Sequence, residues 1–287
     1  HHFVPDAYVT AMKAHKIRPV TWNVQMSLEE MDKSGIATGM ISPPPPGVTF
    51  GDPAFRRKLA RDINEAGAKM VSDRPTRFRL LATLPFASVD DSLAEIAYAF
   101  DVLKADGISL MTSYNGKYLG DPSHWPILEE LNRRKAVVYT HPTTAPCCGN
   151  LVPEAPQAMI EYGTDTTRTI ASLVLSGATN RFPDIRWIWS HSGGTMPFLF
   201  ERFLRQEDFM KGKAKEVLPR GSMYYFKRFY YETAQGNSPM QLAALLKMIP
   251  VSQVLFGSDY PYRPATECVE GLARQRFRPG ELRAVEH

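Results

Sequence analysis

The sequence predicts a (β/α)₈ barrel, the TIM-barrel class of α/β fold, formed by a single domain over residues 1–287. Eight short β-rich runs recur along the chain, and turn residues and a longer amphipathic stretch separate successive runs. The length suits one barrel. An open doubly wound sheet is the alternative, but no glycine-rich phosphate loop follows the first strand.

The predicted strands begin at the amino terminus. The first includes Phe3, and the others lie at residues 38–42, 78–86, 107–113, 136–141, 185–191, 229–234 and 253–259. Helical patterns lie between them, for example at residues 53–73, 88–106 and 124–135. Ser88 is the predicted N-cap of the second of these helices, and residues 121–123 open the third.

The proline run from Pro43 to Gly47 predicts a stiff loop after the second strand, because proline cannot continue a helix or a central strand. A rigid connector is the favoured interpretation of this loop, and a pocket wall is the alternative.

Composition argues against several classes of partner and location. The formal net charge is +4, and the basic residues alternate with apolar positions, so neither nucleic acid nor a membrane surface is expected. No signal peptide and no apolar run of about 18 residues is visible. Cys147 and Cys148 would need strained geometry to pair with each other, and with Cys268 the three cannot all pair. A reducing compartment, the cytoplasm, is therefore expected.

Polar residues end three of the predicted strands. His141 ends the fifth strand, His191 the sixth and Asp259 the eighth. Because barrel chemistry lies at the carboxyl ends of the strands, these side chains are expected to converge. Each of these residues could instead have a purely structural role. Together, however, histidine and carboxylate side chains form a ligand set for zinc or manganese.

Two histidines open the chain, and adjacent terminal histidines are also typical of a purification-tag remnant. Neighbouring residues of a strand point to opposite faces, so only one of the two can join the cluster. The first strand of a closed barrel lies beside the eighth, which would bring that histidine to Asp259.

The segments HHFVP, VVYTHP, FPDIRWIWSHSGGTMPF and VLFGSDYP, in this order and spacing, resemble the amidohydrolase-related (amidohydrolase 2) group of metal-dependent barrels. This group includes aminocarboxymuconate-semialdehyde, 6-methylsalicylate and γ-resorcylate decarboxylases. The resemblance implies that His2, His141 and Asp259 are metal ligands and that His191 is the catalytic histidine. It also implies a homodimer.

Two departures from the family pattern are visible. The pattern His-x-His-Phe-x-Pro matches His2 as its second histidine, and its first histidine would precede residue 1. Ser27 occupies the position of a carboxylate-binding arginine, which makes aminocarboxymuconate semialdehyde an unexpected substrate. Trp22 and Arg168 are the predicted substrate-binding residues, with core packing and an ion pair as their respective alternatives.

The predicted cofactor is one divalent metal ion, zinc in preference to manganese. The predicted activity is decarboxylation of a small aromatic or unsaturated carboxylic acid, with His191 and Asp259 handling the proton. A lactone or amide hydrolase would use the same residues. A metal-free binding barrel is the third hypothesis, which the intact histidines and aspartate disfavour.

Overall fold

The computed structural model describes residues 1–210, 212–275 and 277–286. Seven parallel strands form one sheet in which each strand pairs with the next along the chain. They are β1 (Gly39–Ile41), β2 (Phe78–Thr83), β3 (Gly107–Met111), β4 (Val137–His141), β5 (Arg186–Trp189), β6 (Tyr230–Glu232) and β7 (Val254–Leu255). A short antiparallel hairpin, Ser113–Tyr114 with Lys117–Tyr118, follows β3.

The amino-terminal segment lies between the two ends of this sheet. His2 forms a parallel bridge to Ser42, just after β1, and its amide donates to the Tyr260 carbonyl, 2.8 Å away and just after β7. The predicted first strand therefore forms a single β-bridge instead of a continuous ladder of strand hydrogen bonds. The segment nevertheless contacts both sheet edges, as the first strand of a closed (β/α)₈ barrel does.

Helices connect the strands. They are α1 (Asp6–Ala14), α2 (Val24–Lys33), α3 (Pro53–Asp73), α4 (Val89–Ala97), α5 (Trp125–Arg133), α6 (Gln157–Leu175), α7 (Ala178–Arg181), α8 (Met196–Leu204), α9 (Gln206–Met210), α10 (Lys213–Val217), α11 (Ser222–Phe226), α12 (Pro239–Met248), α13 (Ala265–Arg274) and α14 (Pro279–Glu286). No helix in the described ranges is long and apolar enough to span a membrane.

Two helix starts predicted from the sequence are capped in the structure as expected. The Ser88 hydroxyl accepts from the Asp91 amide at 3.1 Å and caps α4. Asp121 accepts from the Ser123 amide at 2.9 Å and caps the 3₁₀ turn Pro122–His124, which leads into α5. Both caps satisfy amides that a helix start leaves without a partner.

Some predicted boundaries are too long. The helix predicted over residues 88–106 leaves α geometry after Ala97 and continues as a π turn, Tyr98–Val102. In the strand predicted over residues 253–259, only Val254–Leu255 pair. Gln253 belongs to a 3₁₀ turn, and the Phe256 amide donates to the Val285 carbonyl of α14 instead of to a strand. Residues 256–259 lie beyond the ladder, where side chains reach the carboxyl end of the barrel.

The core explains the strand composition. All five residues of β3 are buried, as expected for a parallel strand covered on both faces. Trp189 at the end of β5 is fully buried and packs edge-to-face on Phe229 with ring centroids 5.5 Å apart. The apolar strands therefore form a rigid base for the polar residues that follow them.

Candidate active site

Three side chains from distant parts of the sequence meet at the carboxyl end of the barrel. His2, His141 and Asp259 are buried, and each offers one ligand atom within 4.8 Å of the others. His2 Nε2 lies 3.0 Å and His141 Nε2 3.7 Å from Asp259 Oδ1. The structure therefore brings together the three residues predicted to bind a metal.

Backbone carbonyl groups orient both histidine rings. His2 Nδ1 lies 3.2 Å from the Ser42 carbonyl oxygen, and His141 Nδ1 lies 3.0 Å from that of Pro142. Because a carbonyl oxygen can only accept, Nδ1 donates in both contacts, and Nε2 is the atom that faces Asp259. A metal-binding histidine commonly donates a hydrogen bond from its other ring nitrogen to a backbone carbonyl group.

The environment favours neutral imidazole beside an ionised carboxylate. Burial lowers the pKa of His2 to about 4. Burial alone would raise the pKa of Asp259, but the adjoining His141 and His2 rings outweigh it and hold that pKa well below its usual range. These are the charge states in which His2 and Asp259 bind a metal ion.

The contacts of His141 test whether these residues fit a divalent ion. Its Nε2 is buried and has no hydrogen-bond partner among the described residues. Leaving such an atom without a partner costs about 1–3 kcal/mol. An ion shared with His2 and Asp259 would satisfy it, and nitrogen with carboxylate oxygen is a donor set for zinc or manganese. The residues therefore fit the ion.

His191 lies beside this cluster. Its ring centroid is 5.2 Å from that of His141, in a 3₁₀ turn, His191–Gly193, directly after β5. Its Nδ1 donates to the Ala234 carbonyl at 2.9 Å, which leaves Nε2 for proton transfer. The turn packs tightly, since a side chain at Gly194 would collide with the Gly163 backbone of α6. That glycine is thus required by helix packing.

Glu232, at the end of β6, binds the backbone of the turn that carries His191. Its carboxylate accepts from the backbone amides of His191 at 2.9 Å and Ala234 at 2.6 Å, and burial raises its pKa. The buried Glu232 carboxylate therefore supports the turn that carries His191.

Gln235 is a residue that sequence reasoning missed. Its side-chain amide donates to Asp259 Oδ2. The signal was available, because Gln235 follows the end of β6 as Asp259 follows β7. Its side chain reaches Asp259 from a left-handed backbone, with a φ of 50°.

A cavity of about 650 Å³ opens over this cluster. Its lining includes His141, His191, Gln235 and Asp259 from the strand ends, Pro45 from the proline-rich loop, and Met159, Ile160, Tyr162, Phe198, Tyr262 and Arg263 from the surrounding helices and loops. The alternative interpretation of the proline run, a pocket wall, is therefore correct for Pro45.

The two predicted substrate-binding residues are not among those that line this cavity. The Trp22 indole donates to the Ser27 hydroxyl at 2.7 Å and packs edge-to-face on Phe3. The Arg168 guanidinium lies 3.9 Å from Glu161 and 3.6 Å from the Cys148 sulfur. These contacts are structural, and substrate binding stays a prediction for both residues.

Cys147 and Cys148, for which the sequence predicts pairing only with strained geometry, are joined in a disulfide in the structure. They lie in a turn, where the Cys148 amide donates to the Ala145 carbonyl at 2.9 Å, and this turn brings neighbouring side chains together. Cys268 is a buried free thiol, as composition requires.

A barrel with histidine and aspartate at its strand ends defines a class of metal-binding enzymes, and sequence comparison gives the family. The amidohydrolase family model matches residues 1–284, and the chain belongs to this family. The decarboxylase yanB of Aspergillus niger is 36% identical over 285 residues, which cover 93% of this chain and 77% of that protein. The 6-methylsalicylic acid decarboxylase acuB of Aspergillus aculeatus is 34% identical over 276 residues, 92% of this chain and 83% of that protein.

A solved structure gives the same fold. A dihydroxybenzoic acid decarboxylase from Polaromonas, crystallised with manganese and the inhibitor 2-nitroresorcinol, superposes with a TM-score of 0.86 over 100% of this chain and 92% of that chain. At 20% identity this likeness is one of fold.

Proposed function

We propose that this chain is a metal-dependent decarboxylase, a carbon–carbon lyase that acts on a small aromatic carboxylic acid. One observation carries the proposal: the buried His141 Nε2 has no partner among the described residues, and it lies beside Asp259 at the base of a cavity. The relatives at 34–36% identity named as decarboxylases support the same reaction.

His2, His141 and Asp259 would hold the metal ion. A bound divalent ion would supply a Lewis acid that anchors and polarises the oxygens of the substrate. Zinc is the first candidate and manganese the second, because both accept imidazole and carboxylate ligands.

His191 is the proposed proton donor. Its Nδ1 is held by the Ala234 carbonyl, so a proton on Nε2 can be delivered to the ring carbon that bears the carboxylate. The carbon–carbon bond then breaks, CO₂ leaves, and the bonding electron pair restores the aromatic ring. Asp259, ionised and beside both other ligands, stabilises the imidazolium form before transfer.

The walls of the cavity suit an aromatic anion. The Tyr162 ring lies edge-on to His141 and the Tyr262 ring edge-on to His2, with centroids 5.9 Å and 5.8 Å apart. Aromatic side chains at these distances favour edge or offset contacts with another ring. Arg263 also lines the cavity, where its guanidinium is paired with Glu267.

The decisive experiment is a screen of hydroxybenzoates, methylsalicylates and muconate lactones on metal-loaded protein. It records CO₂ release separately from acid release, with His191→Ala as the control. CO₂ that depends on His191 supports the lyase. Acid without CO₂ would replace it with a lactone or amide hydrolase, which the same residues would serve.

We also propose that the chain forms one domain and a homodimer, and that it acts in the cytoplasm. The dimer rests on the family resemblance alone. Sedimentation of the purified protein tests the dimer, and limited proteolysis tests the single domain.

A further inference from the structure

The cavity changes character from its base to its mouth. Its base is polar, formed by His141, His191, Gln235 and Asp259. Three of its other lining residues are large apolar side chains open to solvent, with exposed fractions of 73% for Met159, 45% for Ile160 and 62% for Phe198. Exposed apolar groups gathered around one opening mark a binding surface.

The helix α6 connects these two zones. Tyr162 contacts the His141 ring, and Met159 lies three residues earlier on the same helix face. Three helical residues span about 4.5 Å, so this face runs outward from the cluster to solvent. Phe198, in the first turn of α8, faces the same opening.

The size of the cavity points the same way. Cavities of roughly 300–1,000 Å³ hold drug-sized ligands. At about 650 Å³ this cavity lies within that range. Arg263 is the one arginine or lysine among the described lining residues, and it is paired with Glu267 at 2.7 Å, so the mouth offers little to a second anionic group.

We infer that the preferred substrate carries an apolar substituent, such as an alkyl chain, that extends from its aromatic ring to Met159, Ile160 and Phe198. This inference rests on the proposed function for the position of the acid group. It assigns these three side chains the role of selecting the substituent.

The test separates binding from turnover. The ligands are 3-alkylphenols and 4-alkylphenols with methyl, propyl and pentyl chains, which are decarboxylation products of alkylsalicylates and cannot react further. Calorimetry on the metal-loaded protein should show affinity rising about two- to fourfold per methylene, hence at least about tenfold from methyl to pentyl. Equal affinities for methyl and pentyl in both series would overturn the inference.

Variants locate the effect. Phe198→Ala and Met159→Ala should each reduce the pentyl-to-methyl affinity ratio by at least about threefold. Phe209→Ala is the matched control, because Phe209 is 75% exposed and does not line the cavity. An unchanged ratio in both mouth variants, or an equal fall in the control, would also overturn the inference.

CO₂ release from the corresponding alkylsalicylates distinguishes the two proposals. If phenol affinity rises with chain length but no acid releases CO₂, the proposed function fails and the apolar subsite stands. If CO₂ is released from methylsalicylate while affinity ignores chain length, the proposed function stands and the subsite fails. In that case the apolar mouth is a contact surface for another protein, which a change of sedimentation in Phe198→Ala would reveal.

Discussion

Two buried polar clusters in this barrel differ in how completely their atoms are paired. Between α3, α4 and the end of β2, the Asn64 amide donates to the Thr83 carbonyl and to Glu95 and accepts from the Thr83 amide, at 2.8–2.9 Å. Arg61 donates to the same Glu95 carboxylate. In the metal-site cluster, by contrast, His141 Nε2 lacks a partner among the described residues. A saturated buried cluster stabilises a fold, whereas an unsaturated one is arranged for a ligand.

The backbone shows the same contrast. His191, Gln235 and Asp259 have φ angles of 53°, 50° and 51°, in the left-handed region that side chains other than glycine rarely adopt. Asn64 and Glu95 lie within regular helices. Left-handed backbone at these three positions directs their side chains toward one place, as is common at functional sites.

The largest expected effect comes from His141→Ala. Metal content should fall from about one ion per chain to near zero, and turnover should fall by at least about 10³-fold, because one of three protein ligands is lost. Inductively coupled plasma mass spectrometry measures the ion. His124→Ala is the matched control: His124 is also a buried histidine, but its Nδ1 donates to the Tyr118 carbonyl and it lies outside the cluster. Full metal retention by His141→Ala would remove this residue from the ligand set.

His191→Ala should separate metal binding from chemistry. The ion should remain, and kcat should fall by about 10²–10⁴-fold, the usual contribution of a positioned proton donor. The measurements are metal content and CO₂ release on the same preparation. Unchanged turnover would exclude His191 from the reaction.

Asn64→Ala tests the fully paired cluster, which should contribute to stability and not to metal binding. It leaves both Thr83 backbone groups and one Glu95 oxygen without their partner, so the free energy of unfolding should fall by about 3 kcal/mol. Metal per folded chain should stay unchanged. Lys58→Ala, exposed on the same helix, is the control and should change stability by less than about 0.5 kcal/mol. Loss of metal in well-folded Asn64→Ala would contradict the assignment of a structural role to this cluster and of metal binding to the other.

The smallest effect is expected at an ion pair near the surface. Hydrogen bonds from Arg133 and then Arg134 lower the pKa of Glu130 to about 2. A folded-state pKa below the usual value of 4.5 stabilises the fold above about pH 4.5, and this stabilisation is lost as the pH falls toward 2. Because Arg133 is largely exposed, Glu130→Gln should cost no more than about 1 kcal/mol at pH 7 and nothing near pH 2. Denaturant unfolding at both pH values checks this, and a constant difference would contradict it.

The sequence was sufficient for the parts of the site that follow from strand order. His141, His191 and Asp259 each end or follow a β-rich run, and parallel strands present their carboxyl ends at one edge. His2 followed from barrel closure and the family pattern. Its single bridge was not predicted, because two tertiary contacts, not local propensity, hold that segment.

The rest of the site depends on contacts that strand patterns do not specify. Tyr162 and Phe198 line the cavity from the first halves of α6 and α8, and strand patterns do not set where those helices lie. Helix and loop placement directs Trp22 and Arg168 toward structural partners, and the sequence does not specify that placement. The disulfide of Cys147 and Cys148 lies in a turn that strand patterns do not specify.

Anomalous diffraction from crystals grown with Mn²⁺ or Zn²⁺ tests most directly whether the unsaturated cluster is a metal centre. One peak per chain is expected, about 2.0–2.2 Å from His2 Nε2, His141 Nε2 and an Asp259 oxygen. A peak elsewhere, or none at saturating metal, would contradict the assignment of these three residues.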